Sequence, residues 1–200
     1  MADYLSAYQP VARHGARLRH WQQGEVLQFV TFRLNDALPQ AKLASWRAER
    51  EAWLAAHPKP WDAATEADYA DRFDRRIQGW LDAGYGSCRL RLPEARGELL
   101  RTLAFDQGRR ADFVSTVIMP NHVHLLFRPR VEVGRLVQAW KGISARRIGL
   151  GGIWQSNYHD RMIRDASHLE SVVRYIRRNP DGLGAEAFTL WESERARAIG

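Results

Sequence analysis

The sequence predicts an α+β fold: a mostly antiparallel, ferredoxin-like sheet with helices on one face and a helical hairpin inserted. Three observations carry that expectation. Short runs rich in β-branched and aromatic residues, at 26–34, 111–119 and 122–128, alternate with longer stretches of helical period. The last two runs are separated only by Pro120 and Asn121, the spacing of a tight antiparallel hairpin. No internal repeat or low-complexity tract breaks the 200 residues, so the chain reads as one domain, 1–200, with an insertion at 37–83 and a tail at 181–200.

Each element has its own local reason. VLQFVTFRL (26–34) has the composition of a buried strand, and Asn35 and Asp36 end it. From Pro39 the period becomes helical through Leu43, Trp46, Trp53 and Leu54, until Pro58 and Pro60 break it. A second helix is expected to start at Thr65, with Asp68 completing a capping box. It would present Tyr69, Phe73, Ile77, Trp80 and Leu81 on one face and stop at Gly84. This insertion carries 7 basic and 8 acidic side chains, a balance that suits packing on the core rather than binding a polyanion. Pro93 opens a helix containing Leu99, Leu100 and Leu103. After the hairpin come a helix over about 132–148 closed by Gly149, a strand near 158–163, and a helix over about 167–178 that Pro180 ends.

Composition narrows the function classes. No apolar stretch approaches the length of a membrane span, and the first twenty residues lack a secretory h-region. Cys88 is the only cysteine, which removes internal disulfides and thiolate zinc sites and fits a reducing cytoplasm. The net charge is +7, and residues 128–178 alone hold 11 basic against 4 acidic side chains. Of the thirty cations twenty-seven are Arg, whose fork matches phosphate oxygens. That clustering points to a polyanionic partner.

Two motifs carry chemistry. In MPNHVHLLF (119–127), a strand directs His122 and His124 to one side while Val123, Leu125 and Phe127 face the other. Such a pair is either half of a divalent-metal site or two histidines on the open face of an edge strand. In YIRRN (175–179), Tyr175 and Asn179 stand at i and i+4 on one helix face, with Arg174, Arg177 and Arg178 around the tyrosine. Asn179 is available as a third ligand, or it is simply a helix terminator before Pro180. Lys141 and Trp140 in WKGISA offer a phosphate contact and a stacking platform, although Trp140 also has core spacing. Arg146, Arg147, Arg161 and Arg164 are further candidate nucleic-acid contacts, and Tyr158 is a second tyrosine to consider as nucleophile.

MPNHVHLLF followed about fifty residues later by YIRRNP resembles the REP-associated tyrosine transposases, a branch of the HUH single-strand transposases with one catalytic tyrosine. VTFRL, LDAGYGSC, WKGISA, WQSNYHDRMIRD and HLESVVRYIRRNP extend the resemblance over most of 26–180. It implies His122, His124 and Asn179 as metal ligands for Mg²⁺ or Mn²⁺, Tyr175 as nucleophile, and a 5′-phosphotyrosine intermediate with a free 3′-OH. It also implies single-stranded or hairpin DNA as partner and a bacterial, nucleoid-associated setting, while leaving monomer or homodimer open. The chain departs from the family after Pro180, where DGLGAEAFTLWESERARAIG replaces the usual Val-Lys-Ala-Gly-Leu-like run. Two other functions fit the residues: a catalytically silent protein binding structured DNA, and a small metallohydrolase of phosphoesters. A tyrosine-dependent covalent adduct separates the first, and turnover without the tyrosine marks the second.

Overall fold

Strand β3 (Gln28–Arg33) shows the alternation its sequence demands: Val30 and Phe32 sink into one core, while Phe29 packs against another on the opposite face. That two-sided burial places it inside a sheet. In the computed structural model, which describes residues 3–14, 20–149 and 151–200, β3 pairs antiparallel with β5 (His122–Pro129) on one side and β6 (His159–Met162) on the other. β5 also pairs with β4 (Ala111–Ile118), across the tight connection at 119–121, and β4 pairs with β7 (Thr189–Glu192). The sheet order is β6-β3-β5-β4-β7, with every neighbour antiparallel. Before β3, β1 (Ala12–His14) and β2 (His20–Gln22) form a separate two-stranded ribbon that the sequence did not signal.

Helices connect the strands as two split β-α-β units. α4 (Pro93–Ala104) joins β3 to β4, and α5 (Val133–Arg147) joins β5 to β6, each pair of strands being separated by a third. Both helices lie on one face, where Leu99, Leu103, Leu136, Val137 and Trp140 meet Phe32, Val123, Leu125 and Phe127. The expected α+β architecture is therefore present. The helices are not confined to one face, however: α6 (Ala166–Arg178) covers the other, packing Leu169, Val172, Val173 and Ile176 on Val117, Leu126 and Ile163. Its amphipathic period called for a core, and the first face was already filled by α4 and α5.

The insertion is a helical hairpin, as expected. α1 (Gln40–Ala56) runs out, and α2 (Ala63–Tyr69) returns through a π-turn at Ala70–Asp74 into α3 (Arg75–Asp82). Its cap differs from the expected box. Asp62, not Thr65, is the N-cap and accepts from the Thr65 N–H at 2.8 Å, while Asp68 takes the Trp53 indole N–H. Residues 181–200 are not a loose tail: β7 extends the sheet edge, and α7 (Glu194–Arg197) buries Ala196 in the α6 core. Among the described residues no helix is long and apolar enough to cross a membrane.

Trp140 is fully buried, so it is core and not a stacking platform. Its Nε1–H donates to Oδ2 of buried Asp106 at 2.7 Å, and Arg110 closes the other side of that carboxylate. Trp140→Phe keeps most of the apolar contact but leaves a buried acceptor short of a donor. We expect it to lower the unfolding free energy by about 1–3 kcal/mol in urea titrations, with little change in the slope. A variant as stable as the wild type would show that Arg110 alone satisfies Asp106.

Candidate active site

A strand residue rises about 3.4 Å and a helix residue about 1.5 Å, so two steps along a strand nearly match four along a helix. α6 uses that match. It lies across the face of β5 bearing His122 and His124, and two cross-layer pairs form: Tyr175 Oη is 3.4 Å from His124 Nε2, and Asn179 Oδ1 is 3.2 Å from His122 Nε2. The histidine rings stand 4.7 Å apart, nearly edge to face. β5 is the central strand, and both histidines are buried, at 0% and 1% exposure. The open face of an edge strand is thereby excluded.

The protons of this group follow from its neighbours. Asn121 Nδ2 donates to the carbonyls of Leu81 and Tyr85, both at 3.1 Å, which fixes its amide with Oδ1 toward His122 Nδ1 at 2.8 Å. Burial pushes the His122 imidazole down to about 4, with the Asn179 side chain opposing and the Arg33 charge adding to the fall, so the ring is neutral near pH 7. Its single proton sits on Nδ1, facing Asn121. The Nε2 lone pair then faces the amide oxygen of Asn179, two acceptors with no proton between them. That donor set suits a cation. His124 is pushed well below its ordinary range by burial and then by His122, and Thr31 Oγ1 stands 2.7 Å from its Nδ1. Second contacts of this kind orient imidazole ligands. Among the described residues no three His, Cys, Asp or Glu side chains cluster as a metal site; the set here is two imidazoles and an amide.

Tyr175 packs edgewise on His124 and Phe29, with part of its ring exposed. Burial raises its phenol above the usual range, Asp82 adds to that, and Arg161 and Asn179 oppose it. The phenol is thus protonated at neutral pH. Tyr175 and Asn179 line a cleft of about 490 Å³ together with Arg174, Arg178, Asp82 and Asp181. Asn179 is also the C-cap of α6, in right-handed backbone conformation, so capping and facing His122 are compatible.

The remaining candidates are scattered. Lys141 donates to the Gln155 and Asn157 carbonyls, both at 2.8 Å, and burial lowers its ammonium to about 8; it pins a loop. Arg177 gives its donors to Glu192 and to the Ile199 and Ala196 carbonyls, which ties down the C-terminal segment. Arg146 and Arg147 sit on α5, across the sheet from the histidines. Arg174, which bonds Glu170 and the Gly200 carbonyl, and Arg178 line the cleft. Arg161 pairs with Asp74 of the insertion, and exposed Arg164 follows β6. The basic stretch at 128–178 therefore forms no single surface, because α5 and α6 cover opposite faces. Tyr158 is buried in the α5 core, stacked on His20, with its hydroxyl sealed and without a partner among the described residues. His20 itself is buried and bonds Asp160 at 2.7 Å.

Sequence reasoning missed Arg33, Thr31 and Asn121. Arg33 is the cross-strand partner of His122, and Thr31 that of His124, so both share the histidine face. The alternation of VTFRL, which puts Thr and Arg opposite Val and Phe, was the available signal.

Because the folded pKa of His122 lies below its unfolded value near ~6.5, its contribution is complete above pH ~6.5 and is lost as pH falls toward about 4. In chelator-treated protein this amounts to roughly 3 kcal/mol for His122, with His124 adding in the same direction. Urea midpoints at pH 7, 5.5 and 4.5 should fall less steeply for His122→Gln than for wild type. Parallel curves would refute a neutral buried imidazole.

Residues 99–179 match the family described as "Transposase IS200 like". That segment runs from α4 to the cap of α6 and contains His122, His124, Tyr175 and Asn179. No curated protein matches the chain. Among solved structures it is similar to one described as "Structure of the REP associates tyrosine transposase bound to a REP hairpin", at 14% identity and a TM-score of 0.48, over 83% of this chain and 73% of that one. Over residues 99–179 the chain is similar to the IS200-like transposases.

Proposed function

We propose that this protein is a metal-dependent single-strand DNA nuclease and strand transferase acting on hairpin-bearing DNA. The observation that carries the reading is the convergence of Tyr175 with two imidazoles and an amide oxygen, inside the segment similar to the IS200-like transposases. In this reading His122, His124 and Asn179 hold Mg²⁺ or Mn²⁺, a mixed N/O set that leaves positions open for phosphate oxygens. When bound, the ion supplies Lewis-acid polarisation of the phosphate.

The chain's own residues do the rest. Tyr175 presents its oxygen beside His124, held by the edgewise contacts with His124 and Phe29. The phenolic proton passes to water, the Tyr175 oxygen bonds to phosphorus, and the P–O3′ bond breaks. The departing 3′ oxygen takes a proton from water, leaving a free 3′-OH and a 5′-phosphotyrosine ester. That ester conserves the phosphodiester bond for rejoining. Arg174 and Arg178 line the approach, where Asp82 and Asp181 limit the net positive charge. The whole chain acts as one domain, with the 37–83 hairpin as an elaboration of it.

The test is a denaturing-gel assay with labelled hairpin-bearing single strands and Mn²⁺. Tyr175→Phe keeps the shape but has no oxygen to form the ester, so the adduct should be absent at every metal concentration. An adduct from this variant would place the nucleophile elsewhere, and turnover without an adduct would mark a hydrolase using activated water.

Asn179→Ala should differ in kind. It removes one of three ligands, so adduct formation should fall at least about tenfold at low Mn²⁺ and partly recover as Mn²⁺ rises. An unchanged metal dependence would reduce Asn179 to a helix cap.

A further inference from the structure

Arg33 is an arginine on an inner strand, only 8% exposed. A cation buried to that degree ordinarily has a carboxylate or several carbonyls for its five donors. Among the described residues Arg33 has neither: none of its side-chain nitrogens makes a hydrogen bond or an ion pair. They are also not among the side-chain atoms sealed from water without a partner, so the fork is the part of the residue that still reaches solvent. The charges that act on it are of its own sign. Arg47 of the insertion repels it, and its own charge bears on His122, Lys141 and His159.

Position gives this charge a use. Arg33 stands directly opposite His122 in the β3–β5 register, on the histidine face. α6 packs over β4 and β5; on the β3–β6 side of that face Thr31 is paired with exposed His159, and Arg161 pairs with Asp74 of the insertion. An anion placed between the histidine pair and Tyr175 would therefore have the Arg33 fork beside it. The cleft that Tyr175 and Asn179 line is different, because Asp82 and Asp181 oppose its two arginines.

We infer that Arg33 is a phosphate-binding residue of this site, its guanidinium taking the non-bridging oxygens of the phosphodiester that lies over His122. The inference rests on the proposed function for the identity of the substrate. The need for an anion comes from the uncompensated charge itself. A planar fork with two parallel N–H donors matches two phosphate oxygens, which a lysine at this position cannot do.

Two variants test it, Arg33→Met and Arg33→Lys, each treated with chelator and melted in chloride or in inorganic phosphate at equal ionic strength. Removing an uncompensated buried charge should leave Arg33→Met at least as stable as wild type in chloride. Phosphate should raise the wild-type midpoint by about 2 °C or more and leave Arg33→Met unmoved, with Arg33→Lys between them. In the Mn²⁺ adduct assay Arg33→Met should be slower by about 10²–10³-fold. An Arg33→Met protein that melts lower in chloride yet responds to phosphate like wild type would make Arg33 a structural residue and overturn the inference. A wild type indifferent to phosphate would overturn it too, whatever the gels show. A phosphate response that requires Arg33, in a protein that forms no adduct with any strand, would sustain the anion site and sink the strand-transfer reading instead.

Discussion

The contact on which the rest of the site depends is α6 laid across β4 and β5 on the face that α4 and α5 leave free. Leu169, Val172, Val173 and Ile176 seal that contact, each burial favouring it by about 1.5–3 kcal/mol. These apolar positions fix the rotation of the helix, and its rotation fixes where Tyr175 and Asn179 point. Because four helical steps and two strand steps span nearly the same distance, the pair meets His124 and His122 in one placement. A rotation of α6 by one residue, about 100°, would carry both side chains away from the sheet and expose the apolar stripe. Packing energy thus holds the polar geometry.

Two imidazoles at the centre of a sheet are costly unless their nitrogens are satisfied. The fold meets that cost with few groups. Asn121 turns one amide into a clamp: its NH₂ holds the Leu81 and Tyr85 carbonyls while its oxygen sets the His122 proton. Thr31 attends His124 from the neighbouring strand. What stays unsatisfied is confined to the outward side, where the lone pairs of His122 and Asn179 face each other and the Arg33 charge goes unanswered. Opposite needs therefore lie side by side, one for a cation and one for an anion. A metal ion with a phosphate would answer both at once.

The sequence exposed those parts whose signal is local. Strand alternation in MPNHVHLLF and the helix period of YIRRN each follow from a few consecutive residues, and both appear as read. Three features were hidden because they depend on distant partners. Whether β5 is central or at an edge depends on β3 and β4 pairing with it, which periodicity within 122–128 does not contain. The second helical layer follows from α4 and α5 having filled the first face. The charge surplus at 128–178 looked like a surface only because chain order was taken for spatial order, whereas Lys141 and Arg177 spend their donors inside the protein. Arg33 was overlooked for the converse reason, since a single cation in an apolar strand adds nothing to a charge count.

The helical insertion packs on the core, with Leu43 and Leu81 buried there and Trp46, Ile77 and Trp80 against them. Its near balance of 7 basic and 8 acidic residues suits that packing rather than the binding of a polyanion. Yet its ends and one flank reach the site. Leu81, with Tyr85 just beyond the insertion, supplies the carbonyls that orient Asn121; Asp82 adds to the effect of burial on the Tyr175 phenol and lines its cleft, and Asp74 holds Arg161. Arg47 repels Arg33 from across the gap. Net charge averages over a surface, but a site is governed by which individual charges come within a Debye length of it with little water between. Here the insertion brings a carboxylate to the tyrosine side and an arginine to the Arg33 side. It thereby sets a gradient of charge across the histidine pair, positive over β3 and balanced over α6, and an anionic strand crossing the site would be drawn toward Arg33 with its phosphate held between that residue and Tyr175.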